Sequence, residues 1–502
     1  MSNPLSVLKW TVPTFIVGAV LLGLVPLVWF AASHGGLQDL RFDTITLSVL
    51  VFTLKQAFLS TLISVVIGLL AARALARRRF YGKNLLLSLF AVPFALPAIV
   101  AVLGVTGVYG NQGWLGGIFN IYGLTGIVLV HVFFNVPLAT RMFHETLTGI
   151  APENFRLAAQ LSFSDRELFR HVEWPVLKNT LPAIFSLIFL LCAASFVVVL
   201  TLGGPSATTL EVAIYHALRI DFDVGRALAL SLLQIILCLV LVMGAGQLVL
   251  QSPNQIPTQL TVQRFDGGAV LVRALDGAAI FVATAIVVPP IAAIFFAGVP
   301  HLKIDGTLIA AVGFSLMIGI GASLLALCLA WCLAQMKLAL SQSLALAALI
   351  VPPAVLATGW FIALKSFDIG LPIVVLTVIA LNGLMALPFA VAVLRARFDL
   401  LGSSFDRLCS QLGIAGWNRF WRIDIPFMLP ALRQAGLLTF VMSLGDLTAV
   451  TLLGSQGLVT LPALIHQQMG NYRSSTAAGT ALLLAVTCYG LAAMAERFGR
   501  TR

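Results

Sequence analysis

Charge is scarce in this chain: only 10% of its 502 residues are Asp, Glu, Lys or Arg, against 60% hydrophobic. A water-soluble globule is excluded at that ratio, because its surface needs far more ionised side chains. Cysteine is scarce too. The six present, Cys192, Cys238, Cys328, Cys332, Cys409 and Cys488, form no C-x-x-C pair and read as small core residues. Cys328 and Cys332 share a helix face, but no His or carboxylate stands beside them to complete a metal site. Signatures of chemistry are missing as well. The only Gly-Lys pair, Gly82-Lys83, is followed by Asn84 and has Arg77 where a phosphate-binding loop needs its first glycine. H-E-x-x-H, G-x-S-x-G and clustered carboxylates are absent, which excludes the common membrane hydrolases. No enzyme activity, cofactor or metal is expected on this chain, and any ATP (with its Mg) would be used on another polypeptide.

What the sequence does hold is long apolar runs. A helix needs about 20 apolar residues to cross the hydrocarbon, and such runs occur at 11–32, 47–72, 85–109, 122–140, 181–202 and 227–250, then at 274–297, 307–334, 341–364, 371–394, 434–454 and 476–496. About twelve spans place both termini on one side. The run after Lys9 exceeds the core of a cleavable signal and reads as a retained first span. Most of the 30 Lys and Arg, among them Arg73, Arg77, Arg78, Arg79, Arg395, Arg397, Arg419 and Arg422, fall on the side shared with the termini. Basic loops are retained in the cytoplasm, so the termini are expected there. The net charge of +11 therefore reflects topology, and nucleic-acid binding is not expected.

The chain also repeats itself. One offset of 251 residues superposes Pro137 on Pro388, Arg156 on Arg407, Gln160-Leu161 on Gln411-Leu412, Phe169 on Phe420, Pro175 on Pro426, Leu202-Gly203 on Leu453-Gly454 and Thr209-Leu210 on Thr460-Leu461. A constant register through helix-breaking Pro and Gly points to duplication. The expected fold is all-α and integral to the membrane: a half over 1–250, a polar linker over 251–272 and a second half over 273–502. Halves with an even number of spans share one orientation, with a pathway between them.

The largest cytoplasmic segments, about 144–180 and 396–433, occupy the same place in each half. Phe155, Ala158 and Leu161, and Phe405, Leu408 and Leu412, recur at helical spacing and predict a short helix with one apolar face. Mixed charge and small side chains suit a partner's groove better than a lipid surface. Gly413 suits a left-handed helix end, and Pro175 and Pro426 are expected to break the chain before it re-enters the membrane.

These paired segments resemble the coupling loops of binding-protein-dependent ABC importer permeases of the type I class, whose short helix seats in a cleft of a cytoplasmic ATPase. The resemblance implies that role for Glu153, Arg156, Ala158, Ala159, Gln160, Leu161 and Ser162, and for Arg407, Leu408, Gln411, Leu412 and Gly413; Ser162 stands where the family prefers Gly. A closer resemblance, to thiamine ABC-transporter permeases, rests on Val108–Leu115, His131–Pro137, Val172–Pro175, Ala207–Tyr215, Cys409–Ile414 and Gly470–Ser474. It implies import of thiamine or its phosphates by alternating access across the bacterial inner membrane. The implied partners are a cytoplasmic ABC ATPase dimer using ATP and Mg and a periplasmic thiamine-binding protein. Ferric iron or another small solute on the same architecture is the alternative; a secondary transporter would need more ionisable residues in its spans.

Within the spans Asp446 is the conspicuous ionisable residue, paired by the repeat with Ser195. A carboxylate at membrane depth faces a cavity or a partner, so Asp446 is either a contact for the cationic thiazolium or a structural acceptor between helices. His131 pairs with Asn382, and both are candidates for the pathway or for packing. External segments around Glu211, Tyr215, His216, Asp221 and Asp223, and around His466, Gln467, Gln468, Tyr472 and Arg473, are candidate receivers of the binding protein.

Overall fold

The computed structural model describes residues 4–33, 43–117, 120–204, 207–249, 266, 268–336, 351–365, 370–414, 416–454, 457–471 and 473–500. Most of the expected linker, and 341–350 of the ninth expected span, lie outside the described residues. Among those described, every regular element is a helix.

The N-terminal set comprises α1 (Pro4–Ser33), α2 (Thr44–Arg77), α3 (Lys83–Leu89), α4 (Val92–Ala95), α5 (Ala98–Tyr109), α6 (Leu124–Thr148), α7 (Pro152–Gln160), α8 (Asp165–Leu168), α9 (Trp174–Ala193), α10 (Val197–Leu202), α11 (Leu210–Arg219) and α12 (Val224–Val249). The C-terminal set comprises α13 (Val270–Gly298), α14 (Gly306–Ala334), α15 (Pro353–Lys365), α16 (Leu371–Gln411), α17 (Gly416–Arg419), α18 (Ile425–Leu444), α19 (Thr448–Leu453), α20 (Leu461–Gly470) and α21 (Ser474–Arg500).

Among the described residues, nine helical segments are long and apolar enough to cross a bilayer: α2, α6, α8 with α9, α12, α13, α14, α16, α17 with α18, and α21. The other expected spans fall on shorter apolar stretches, Val12–Pro26 and Pro353–Leu364, and on a pair of helical pieces, Lys83–Ala95 and Ala98–Tyr109, bent by 116° at Leu96-Pro97.

The expected spans at 181–202 and 434–454 are displaced. The helices begin well before them, at Asp165 and Gly416, and end at Ala193 and Leu444. Pro175 and Pro426 do not interrupt them. Each follows a π-helical turn, Phe169–Glu173 and Phe420–Asp424, and sits in the first turn of the next α-helix. The wider turn absorbs the hydrogen bond that proline cannot make. The real interruptions come later, at Ala194–Phe196 and Gly445–Leu447, before the short helices α10 and α19.

Helices hold together through small residues and buried polar contacts, as expected where lipid and side chain are equally apolar. Each set's first helix packs on the other set. Gly359 of α15 lies directly against the Gly23 carbonyl of α1, and the Trp360 indole donates to the Ala19 carbonyl at 2.9 Å. On the opposite side, Gly104 of α5 meets Pro290 and Ile294 of α13. A Cβ at Gly359 or Gly104 would collide with backbone, so these crossings depend on glycine.

At the end of α2, Arg77 binds Asp266 at 2.9 Å and Asp276 at 3.1 Å, while Arg78 binds Asp276 at 2.7 Å. Arg77 and Asp266 are almost wholly buried. Two carboxylates face two guanidiniums, so the group carries no net charge into the interior. It anchors the start of α13 to the N-terminal set.

Candidate functional site

The segments expected to dock on a partner are built from the chain outward. In α7, Pro152 takes the first helical position, where its missing N–H costs nothing, and Glu153 lies in the first turn, favoured by the helix dipole. Phe155 and Ala158 point inward, in one apolar cluster with Phe143, Leu147 and Leu168. The face offered outward is instead Leu157 and Leu161, 56% and 58% exposed, beside Glu153, Arg156, Ala159, Gln160 and Ser162. In the C-terminal set the end of α16 repeats this. Cys409 is buried where Ala158 is, Leu408 and Leu412 are 48% and 62% exposed, and Arg407, Gln411 and Gly413 flank them. The single apolar face expected from spacing is thus divided: one part fixes the helix to its own bundle and another is exposed.

Both helices end in left-handed backbone, Ser162 at φ 51° and Gly413 at φ 65°. The preference for Gly at that position follows, since a Cβ there costs about 1–2 kcal/mol.

Deeper in the bundle, the helix breaks converge on one cavity of about 430 Å³. Its wall includes Leu96 and Pro97 from the first break, Val197 just past the second, Pro353 at the start of α15, and Gly445, Asp446 and Leu447 from the last. Arg141, Asn382, Met385, Gln434, Met442, Ser443 and Phe94 complete most of it. Interrupted backbone at membrane depth is tolerated where it is enclosed by protein or lines a cavity. Gly445 permits the approach of the sets here, since a Cβ would stand 3.2 Å from the Pro97 ring.

Two of the four candidate pathway residues line this cavity and two do not. Asp446 does, half-buried, and its carboxylate accepts from the Thr448 N–H at 3.2 Å and the Ala449 N–H at 3.0 Å, capping α19. Asn382 lines it and donates to the Ser443 hydroxyl at 3.0 Å. His131 and Ser195 form a buried bridge inside the N-terminal set, 2.8 Å between His131 Nε2 and Ser195 Oγ, with Ser60 Oγ 3.3 Å from Nδ1. Repeat-related positions therefore do different work.

Of the candidate external residues, Glu211 is buried, whereas Asp221, Asp223, Gln467 and Arg473 are exposed; Tyr472 lies outside the described residues. Sequence reasoning missed Arg141, Gln434 and Phe94 as cavity residues; they carry no signal until the helices are placed.

Broken helices around a cavity between two sets of membrane helices, with a helix end carrying exposed leucines from each set, are the architecture of a polytopic membrane permease. No protein-family model matches the sequence. Comparison with known proteins nevertheless places it: the chain belongs to the thiamine transport system permease family. It is 39% identical over 97% of its length to the thiamine transport system permease protein of Brucella abortus (strain 2308), covering 93% of that protein. It is 38% identical to that of Escherichia coli (strain K12), covering 97% of this chain and 96% of the relative. A sulfate transport system permease protein of Salmonella typhimurium is 31% identical over only 36% of this chain.

Proposed function

We propose that this chain is the membrane permease of an ATP-driven thiamine importer of the bacterial inner membrane, with both termini cytoplasmic. The observation that carries the reading is identity of 37–39% along 97% of the chain to thiamine permeases of several bacteria. The thiamine assignment rests on that similarity, and the physical arrangement is consistent with it. A cavity of about 430 Å³ lies in the range of small-ligand sites, and its wall offers one carboxylate, one guanidinium (Arg141), two amides and aromatic and thioether surface. A cationic ring is stabilised by a carboxylate and by aromatic faces. Ferric iron, the rival solute, calls for a cluster of oxygen or nitrogen ligands, and among the described residues no group of three His, Cys, Asp or Glu converges.

In this reading the chain itself is no enzyme and holds no cofactor. A cytoplasmic ATPase dimer binds ATP and Mg and receives Leu157–Ser162 and Leu408–Gly413 in its two grooves. A periplasmic thiamine-binding protein docks on the outer loops. ATP-driven closure of the dimer draws the docking helices together and turns the cavity outward; hydrolysis returns it to the cytoplasm. The division into halves at the linker, each supplying one docking helix, belongs to the same proposal.

The test is uptake of labelled thiamine into vesicles holding this chain with its ATPase and binding protein. Uptake should require ATP and should vanish, together with ATPase association, when Leu157, Leu161, Leu408 and Leu412 are all changed to Glu. Thiamine that stays outside while the ATPase binds would overturn the substrate and spare the architecture. Asp446→Asn gives a second readout: asparagine caps a helix as well as aspartate, so assembly should persist and uptake should fall about tenfold or more if the charge meets the cation. Full uptake would leave Asp446 as a cap alone.

A further inference from the structure

The two docking helices share their outward leucines but not their mechanical connection to the bundle. In the N-terminal set, α6 ends at Thr148, Gly149–Ala151 are not helical, and Pro152 opens α7. The docking helix is therefore a separate piece, joined to its span by a break. In the C-terminal set, Ser403 stands at the position related to Pro152, and α16 runs without interruption from Leu371 to Gln411. Asn382, Met385 and Ala386 of this one helix line the cavity, and Leu408 is exposed near its far end. At 1.5 Å per residue, about 35–40 Å of continuous helix joins the cavity wall to the docking face. Pro388 interrupts neither more nor less than its counterpart Pro137, which also lies inside its helix.

A second difference lies where the docking helix meets the following elbow. Arg419 reaches Asp406 at 2.5 Å and Asp424 at 3.3 Å, bridging the end of α16 to the π-helical turn before α18. The repeat-related positions of Asp406 and Arg419 in the N-terminal set are Phe155 and Leu168, both buried in one apolar cluster. There the ionic contact of the elbow, Arg73 to Glu173 at 2.6 Å, runs to α2 and not to the docking helix, so among the described residues no ion pair ties Phe155 or Leu168 across that junction as two ionic contacts on one planar guanidinium tie Asp406 and Asp424.

We propose that the second docking element is the stiff one, carrying ATPase movement directly into the cavity wall, with Arg419 as its positioning residue, while the first is a compliant contact that follows. Two identical ATPase subunits would then push on unequal levers. This rests on the docking reading above. The inequality originates in one residue, Pro152 against Ser403, and in one pair, Phe155 and Leu168 against Asp406 and Arg419.

The test uses the complete transporter in proteoliposomes and measures ATP hydrolysed per thiamine imported, with co-purification of the ATPase as a separate readout. Ser403→Pro, which copies the N-terminal break, and Arg419→Gln are expected to retain the ATPase and to raise the ratio at least about fivefold, the lower end of usual coupling between sites. Arg419→Lys, which keeps the charge, should recover most of that loss, and Pro152→Ser should shift the ratio several-fold less than Ser403→Pro. Equal effects of Pro152→Ser and Ser403→Pro, or an unchanged ratio in Arg419→Gln, would overturn the proposal. So would loss of ATPase binding in Arg419→Gln, because Arg419 would then belong to the contact itself. Failure of the unaltered chain to hold the ATPase would sink the docking reading instead.

Discussion

A handful of backbone positions decide whether this bundle closes. Ser162 holds φ 51°, a region where glycine rests without penalty and serine does not. Ser162→Gly is expected to stabilise the folded chain by up to about 1 kcal/mol, offset in part by the greater freedom glycine gives the unfolded chain; thermal unfolding in detergent would register it as a small rise in midpoint. Gly359 presents the opposite case, since any side chain there strikes the Gly23 carbonyl. Gly359→Val should cost about 1–3 kcal/mol or more through overpacking and should weaken the seat of α1, visible as faster proteolysis near residue 33. The first position was legible in the sequence, because the repeat sets Ser162 against Gly413. The second was not, since no local pattern tells a glycine that meets a distant helix from one facing lipid.

Sequence windows locate apolar length well and helix ends poorly. Among the described residues, seven of the nine long spans fall where hydropathy places them or close by and two are displaced, and the interruptions at Leu96-Pro97, Ala194–Phe196 and Gly445–Leu447 sit inside windows that remain apolar. Burial in the membrane imposes apolar composition on broken and unbroken helix alike, so the breaks leave little compositional trace. The docking helices were recognisable by their polarity against that background. Their orientation was not, because a helix embedded on one side and docked on another shows two apolar sides, and spacing alone cannot assign them. Asp446→Ala removes the cap of α19 and should cost about 1 kcal/mol, whereas Asp446→Asn should not. Comparing their unfolding midpoints separates the capping role from any role in transport.

Across the whole molecule, the buried Arg77, Asp266 and Asp276 group lies at the boundary between the two sets. Arg77→Met would take from two buried carboxylates a guanidinium that both contact, at a cost of about 3–5 kcal/mol, and the expected outcome is poor yield of folded protein. Replacing all three by apolar residues should recover part of that loss, a comparison that distinguishes stranded charge from lost contact. This network was invisible in the sequence, where no pattern singles out Asp266 or Asp276.

The crossing of the first helices also bears on how the chain is made. α1 leaves the ribosome long before α15, yet the groove that receives it includes Trp360, whose indole meets Ala19 across 341 positions of sequence. Until that segment has been synthesised and inserted, the face of α1 around Ala19 and Gly23 lacks the helix it packs on. A helix that enters the membrane early thus finds its place late, and a ribosome that stalls before residue 353 leaves behind a set of helices with an unfilled seam.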